Sequence, residues 1–68
     1  MKARNLKPGN KVLWNDRVLE FVRRDPPRAG RGAKYWFRCE DFRGALGPGD
    51  DGIVWMSDRR VARECRAA

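Results

Sequence analysis

The sequence has no histidine, only two cysteines and no long apolar run, and each shortage excludes a class of function. Without histidine the chain lacks the usual general base near neutral pH and the commonest metal ligand. We therefore predict no enzyme, no catalytic residue, no metal site and no cofactor. Two cysteines are too few for a disulfide-rich scaffold or a four-ligand structural zinc site, so we expect Cys39 and Cys65 to be buried thiols.

The sequence also lacks the features of a membrane protein. No stretch approaches the roughly 20 apolar residues that span a bilayer, and the N-terminal residues lack the apolar core of a signal peptide. No stretch predicts an amphipathic helix with a broad apolar face. We therefore expect a cytoplasmic protein that does not bind membranes.

Positive charge is what the chain has in excess. Its 68 residues carry sixteen Lys and Arg against nine Asp and Glu, a net charge of +7. A chain of this length forms one small domain with a thin core. We predict a single domain over residues 1–68, in which residues 1–7 are a polar lead-in.

Alternating β-branched and aromatic residues predict strands over residues 11–14 and 17–24, joined by a turn at Asn15-Asp16. Both turn residues tolerate a positive φ, so the turn fixes a register in which Trp14 faces Arg17 and Lys11 faces Glu20. Further strands are predicted over residues 33–42 and 53–56. Loops rich in proline and glycine, over residues 25–32 and 44–52, separate the later strands.

The C-terminal residues allow two predictions. Ser57-Asp58 is a good helix N-cap, so we expect one helical or 3₁₀ turn at Arg59-Arg60 and a last strand over residues 61–65. The alternative is a two-turn helix, because Val61 and Cys65 have the spacing of neighbours on a helix face. Four or five short strands in so short a chain predict an all-β fold, a small barrel whose closure protects the strand edges.

The segment KPGNKV at residues 7–12 resembles the opening Pro-Gly-x-x-Val segment of the KOW-like and Tudor-like SH3-like barrels. The predicted strand order and the turn before the last strand are also similar to that group. The resemblance implies an SH3-like barrel of four to five strands with a 3₁₀ or short helical turn near the C-terminus. It leaves the partner open, because this fold hosts both nucleic-acid and protein binding.

The excess charge lies in the first half of the chain. Residues 1–38 hold eleven Lys and Arg and three acids, a net of +8, whereas residues 39–68 hold five and six, a net of −1. Alternation in the third strand places Tyr35 and Phe37 in the core and Trp36 on the other face. Arginine beside exposed aromatic rings suits phosphate contact and base stacking. We predict a nucleic-acid-binding site made of Arg23, Arg24, Arg28, Arg31, Lys34, Trp36 and Arg38.

Other interpretations of the same residues remain open. Trp36 can instead lie buried beneath the 25–32 loop with its charged neighbours merely solvated, and we expect Trp55 to lie in the core. Large apolar residues occur on both faces of the first hairpin. Either the strands bend enough to bury both faces, or an outer apolar patch contacts a partner or a second copy of the chain. The acid pairs at residues 40–41 and 50–51 predict a negative end of the domain.

These patterns favour a non-enzymatic nucleic-acid-binding module for DNA or RNA. The main alternative is a small protein-interaction module of phage or mobile-element origin that binds and modulates a host protein or nucleoprotein. A third hypothesis is an oligomeric barrel with a small-molecule site at its symmetry axis.

Overall fold

Five antiparallel strands form one open sheet in the computed structural model, which describes residues 2–68. The strands are β1 (Lys11–Trp14), β2 (Arg17–Asp25), β3 (Lys34–Arg38), β4 (Ile53–Ser57) and β5 (Cys65–Ala67). A helix, α1 (Asp58–Glu64), and two 3₁₀ turns (Ala3–Asn5 and Glu40–Phe42) complete the elements of these residues. The strand order is β4-β3-β2-β1-β5, so the all-β prediction is confirmed. None of the helices described is long and apolar enough to cross a membrane.

The first hairpin has the predicted register. Asn15 and Asp16 have φ values of 49° and 64°, as a type I′ turn requires at both central positions. Trp14 pairs with Arg17 and Lys11 pairs with Glu20, whose side chains form an ion pair at 3.4 Å. The local turn chemistry alone therefore sets how β1 meets β2.

A β-bulge in β2 changes which side chains face the core. Phe21 pairs with Phe37, but the next pair joins Arg23 to Trp36, so Val22 is an extra residue in β2. Strict alternation from Phe21 would have turned Arg23 toward the core. The inserted residue shifts the alternation and places Arg23 on the outer face with Trp36.

The core lies on the other face of the sheet, under α1 and the first 3₁₀ turn. Its centre is aromatic: the Phe21 ring lies 5.6 Å from that of Phe37 and 6.1 Å from that of Tyr35. Cys39 and Cys65 are both buried free thiols, as expected, and burial raises the pKa of the Cys65 thiol. The fully buried side chains are Val12, Leu19, Phe37, Cys39, Met56 and Val61.

Two predicted boundaries are wrong. β3 ends at Arg38 rather than at residue 42, because the chain turns into a 3₁₀ segment at Glu40–Phe42. The strand expected over residues 61–65 is also wrong, and the alternative of a two-turn helix is confirmed. Ser57 Oγ accepts a hydrogen bond from Arg60 N at 3.1 Å, and α1 continues for two turns because Val61 packs into the core. β5 begins only at Cys65, opposite Trp14.

The first 3₁₀ turn also belongs to the packed structure. Ala3 is buried in the core cluster, and this turn contacts α1. At least one residue of the polar lead-in therefore contributes to the fold.

A close backbone approach fixes the end of the loop between β3 and β4. Gly52 has a φ of 78°, and its carbonyl accepts a hydrogen bond from Cys39 N at 2.9 Å. A Cβ atom at Gly52 would collide with the backbone carbonyl oxygen of Cys39. Only glycine fits both the left-handed conformation and the contact.

We expect Gly52→Ala to lower the free energy of unfolding by about 2 kcal/mol or more, because it adds left-handed strain to a backbone collision. Gly32→Ala is the matched control: Gly32 lacks the left-handed φ, and a Cβ there meets no atom within 4 Å. Urea unfolding of both variants measures the difference. Equal stability of the two would contradict the close approach.

Candidate nucleic-acid interface

Two tryptophans and two cations lie together on the outer face of β2, β3 and β4, and we call these four residues the tryptophan cluster. Arg23, Trp36 and Trp55 are in register on adjacent strands. Arg23 Cζ lies 4.9 Å from the centroid of the Trp36 ring, and Lys34 Nζ lies 4.6 Å from that of Trp55. The two indole rings are 6.5 Å apart with their planes inclined at 46°. Each ring therefore has a cation within cation–π range.

Asp25 holds one half of this cluster in place. Its carboxylate accepts hydrogen bonds from Trp36 Nε1 at 2.9 Å and from Arg23 Nε at 3.2 Å. These two bonds, first that from Trp36 and then that from Arg23, lower the pKa of Asp25. Trp36 is half-buried and fixed by this contact. Asp25 is a residue of this site that the sequence pattern does not predict.

Trp55 is exposed, so its expected place in the core is wrong. The side chain of Trp55 is 48% exposed, whereas its neighbour Met56 is buried. β4 alternates strictly, and the inward positions are taken by Val54 and Met56. Among residues 2–68 the indole N–H of Trp55 has no hydrogen-bond acceptor, while Trp14 and Trp36 each donate to a carboxylate.

The loop between β2 and β3 presents two arginines side by side. Arg28 and Arg31 exchange backbone hydrogen bonds of 3.0 and 2.8 Å around a tight turn, so they form a directly opposed pair. Opposed like charges are destabilising in a sheet. Within the part of the chain that the structure describes, neither guanidinium has a carboxylate within 4.0 Å. Fold stability therefore does not explain this pair.

Two adjoining clefts lie beside these arginines. The tip cleft has a volume of about 220 Å³, and its lining carries three cations and one acid. It is lined by Asp25, Pro26, Arg28, Arg31, Gly32 and Lys34. The tryptophan cleft has a volume of about 350 Å³ and is lined by Arg31, Gly32, Ala33, Lys34, Trp55 and Ser57. The clefts share three residues, so a cationic site lies next to an aromatic one.

The structure does not bring two of the predicted residues to this site. Arg24 lies opposite Tyr35 in the β2–β3 ladder, and both side chains are on the other face of the sheet. Arg24 Nε donates a hydrogen bond to the Tyr35 hydroxyl at 3.1 Å. Arg38 lies opposite Glu20 in the β2–β3 ladder and lines a groove that also contains Glu40 and Asp41. The other five predicted residues, Arg23, Arg28, Arg31, Lys34 and Trp36, lie in or around the tryptophan cluster and the two clefts.

The acidic residues after β3 that make side-chain contacts do so elsewhere and form no ion pair with the cations of the two clefts. Asp41 pairs with Arg17 at 3.0 Å, and Glu40 pairs with Arg43 at 3.7 Å. Asp50 accepts from the backbone N–H groups of Gly52 and Leu46, which lower its pKa in that order. Residues 2–68 hold no group of three or more side chains that could ligate a metal ion.

The chain matches no protein-family model, no curated protein and no solved structure. Its function is therefore inferred from the geometry of the outer face.

The indole N–H groups give a test of these contacts. Glu64 accepts from Trp14 Nε1 at 2.9 Å, and this bond is the main reason that the pKa of Glu64 is lowered. We expect the indole NMR signals of Trp14 and Trp36 to titrate with midpoints below the ordinary carboxyl values of about 4. The signal of Trp55 should show no such transition.

The direction of the pH effect on stability follows from the linkage between protonation and folding. A carboxyl whose pKa is lowered by folding contributes stability above its unfolded pKa, and this is lost as the pH falls through the folded value. Asp25→Asn should remove the transition of Trp36 and leave that of Trp14 unchanged. A carboxyl transition at Trp55, or a midpoint for Trp36 above the ordinary value, would contradict the assigned contacts.

Proposed function

We propose that this chain is a non-enzymatic nucleic-acid-binding module that uses the tip cleft for phosphate and the tryptophan cluster for bases. The observation that carries the proposal is the arginine pair at residues 28 and 31 next to the exposed ring of Trp55. Arginine pairs with phosphate in bidentate fashion, and aromatic rings stack on bases of any sequence. Both groups occur here within one pair of adjoining clefts.

The position of Lys34 allows its ammonium group to exchange the Trp55 ring for a phosphate when nucleic acid binds. Its ammonium group lies over the Trp55 ring, a contact worth about 0.5–1 kcal/mol at an exposed site. A hydrogen bond to a charged group contributes about 1.5–3 kcal/mol. A phosphate in the tip cleft would therefore draw Lys34 away from the ring and uncover the aromatic face.

The fold assignment that accompanies this function is an SH3-like barrel. The support is the strand order with β5 beside β1, the long bulged β2 and the helix between β4 and β5. The Pro-Gly turn at residues 7–10 also supports it: Gly9 has a φ of 91°, and Asn10 N donates to Lys7 O at 2.9 Å.

We expect Arg28→Ala with Arg31→Ala to lower oligonucleotide affinity at least about tenfold at low salt, because two phosphate contacts are lost. Fluorescence anisotropy with labelled oligonucleotides measures the change. The matched control is Arg59→Ala with Arg66→Ala, which removes the same charge from α1 and β5. That control should retain most of the affinity, and equal losses in the two double variants would mean that only net charge matters.

The salt dependence gives a second readout of the same contacts. Phosphate contacts from Arg28, Arg31 and Lys34 predict a slope of log affinity against log salt of about −2 to −3. The slope should become shallower by about 1.4 to 1.8 in the Arg28 and Arg31 double variant. Absence of binding at low salt would refute the proposed function.

Protein interaction is the second candidate function, and one apolar pair favours it. Leu13 and Val18 are opposed on the outer face of the first hairpin, and Val18 is 53% exposed. Val18 lies two strands and Leu13 three strands from Trp55, so the pair is separate from the two clefts. A protein partner docking there should be released by Val18→Asp and retained by the Arg28 and Arg31 double variant.

A further inference from the structure

We infer that the two clefts hold one unpaired nucleotide, so the ligand is single-stranded nucleic acid with a base on Trp55 and a phosphate between Arg31 and Lys34. The inference rests on the proposed function and narrows it to one class of ligand. It depends on the exposure and hydrogen bonding of the three tryptophans and on the residues that the two clefts share.

Trp55 is available for a ligand in a way that the other tryptophans are not. Trp36 has its N–H bonded to Asp25 and the guanidinium of Arg23 over its ring. Trp14 has its N–H bonded to Glu64 and contacts Phe42 edge-on. Trp55 is half exposed, and among residues 2–68 its N–H has no acceptor. Among residues 2–68, its ring has the flexible side chain of Lys34 over it and the Trp36 ring 6.5 Å away.

The clefts are adjacent in the way that the parts of a nucleotide are adjacent. Arg31, Gly32 and Lys34 line both clefts, so a phosphate held by the two cations lies beside a group held against Trp55. Gly32 at the junction carries no side chain to separate them. The tryptophan cleft, at about 350 Å³, is at the lower end of the size range of small-molecule sites.

The same geometry disfavours a duplex. A base inside a duplex has both faces covered by its neighbours, so its face cannot reach an indole ring in a cleft. An unpaired base can leave its stack and lie on Trp55. A duplex can contact only the arginine pair at the loop tip, which offers phosphate contacts alone.

The test compares a mixed-sequence single strand of about twelve nucleotides with the duplex of the same sequence. We expect the wild-type protein to bind the single strand at least about tenfold more tightly than the duplex at equal salt. Trp55→Ala should lower single-strand affinity about tenfold and leave duplex affinity unchanged. Val18→Ala, at another exposed apolar position on this face, is the control and should bind both as the wild type does.

A second readout uses an aromatic replacement that keeps the surface apolar. The single strand should quench part of the tryptophan emission of the wild-type protein, and Trp55→Phe should remove that quenching while retaining affinity to within about threefold. Thermal unfolding checks that both variants are folded.

The outcomes distinguish single-strand binding at Trp55 from nucleic-acid binding in general. If duplex and single strand bind equally and Trp55→Ala changes neither, the single-strand inference is wrong while the proposed function stands. If neither oligonucleotide binds at low salt, both are wrong. If Trp55→Phe is quenched as much as the wild type, the base does not stack on Trp55 and the inference is wrong.

Discussion

One extra residue in β2 determines which of its side chains reach Trp36 on the outer face of the sheet. The bulge between Phe21 and Arg23 shifts the alternation of β2, so Arg23 and Asp25 face outward while Phe21 stays in the core. Without that shift, Asp25 would lie on the opposite side from Trp36 and could not accept its indole N–H. The contacts of Arg23 and Asp25 with Trp36 therefore depend on this irregularity in the ladder.

The site combines anchored and unanchored groups. Asp25 fixes Trp36 and Arg23 by two hydrogen bonds, so this part of the face is preorganised. Beyond it, Arg28 and Arg31 oppose each other, and among residues 2–68 neither guanidinium has a carboxylate within 4.0 Å. Opposed like charges weaken a hairpin, and a phosphate in the tip cleft, which both arginines line, would relieve the repulsion. The arrangement is thus less stable alone than with the class of ligand that we propose.

The sequence predicted the features that local rules govern. Asn15-Asp16 fixed the first hairpin, and alternation correctly separated Phe37 from Trp36. Tertiary effects account for what the sequence did not predict in β2 and α1. Nothing local marks the bulge at Val22, and the helix over 58–64 extends because Val61 packs into the core. The exposure of Trp55 could have been predicted, because Val54 and Met56 alternate with it; the general tendency of tryptophan toward burial outweighed that pattern.

The central claim is that binding occurs at the two adjoining clefts and nowhere else on this basic surface. The most direct measurement is an NMR titration of the protein with a short single strand, followed at the backbone amides and the three indole N–H groups. We predict that the largest shifts fall on residues 28–34 and on the indole of Trp55, with the indole of Trp14 unmoved. Shifts concentrated on α1 and the first 3₁₀ turn, or spread evenly over every exposed arginine, would contradict the account.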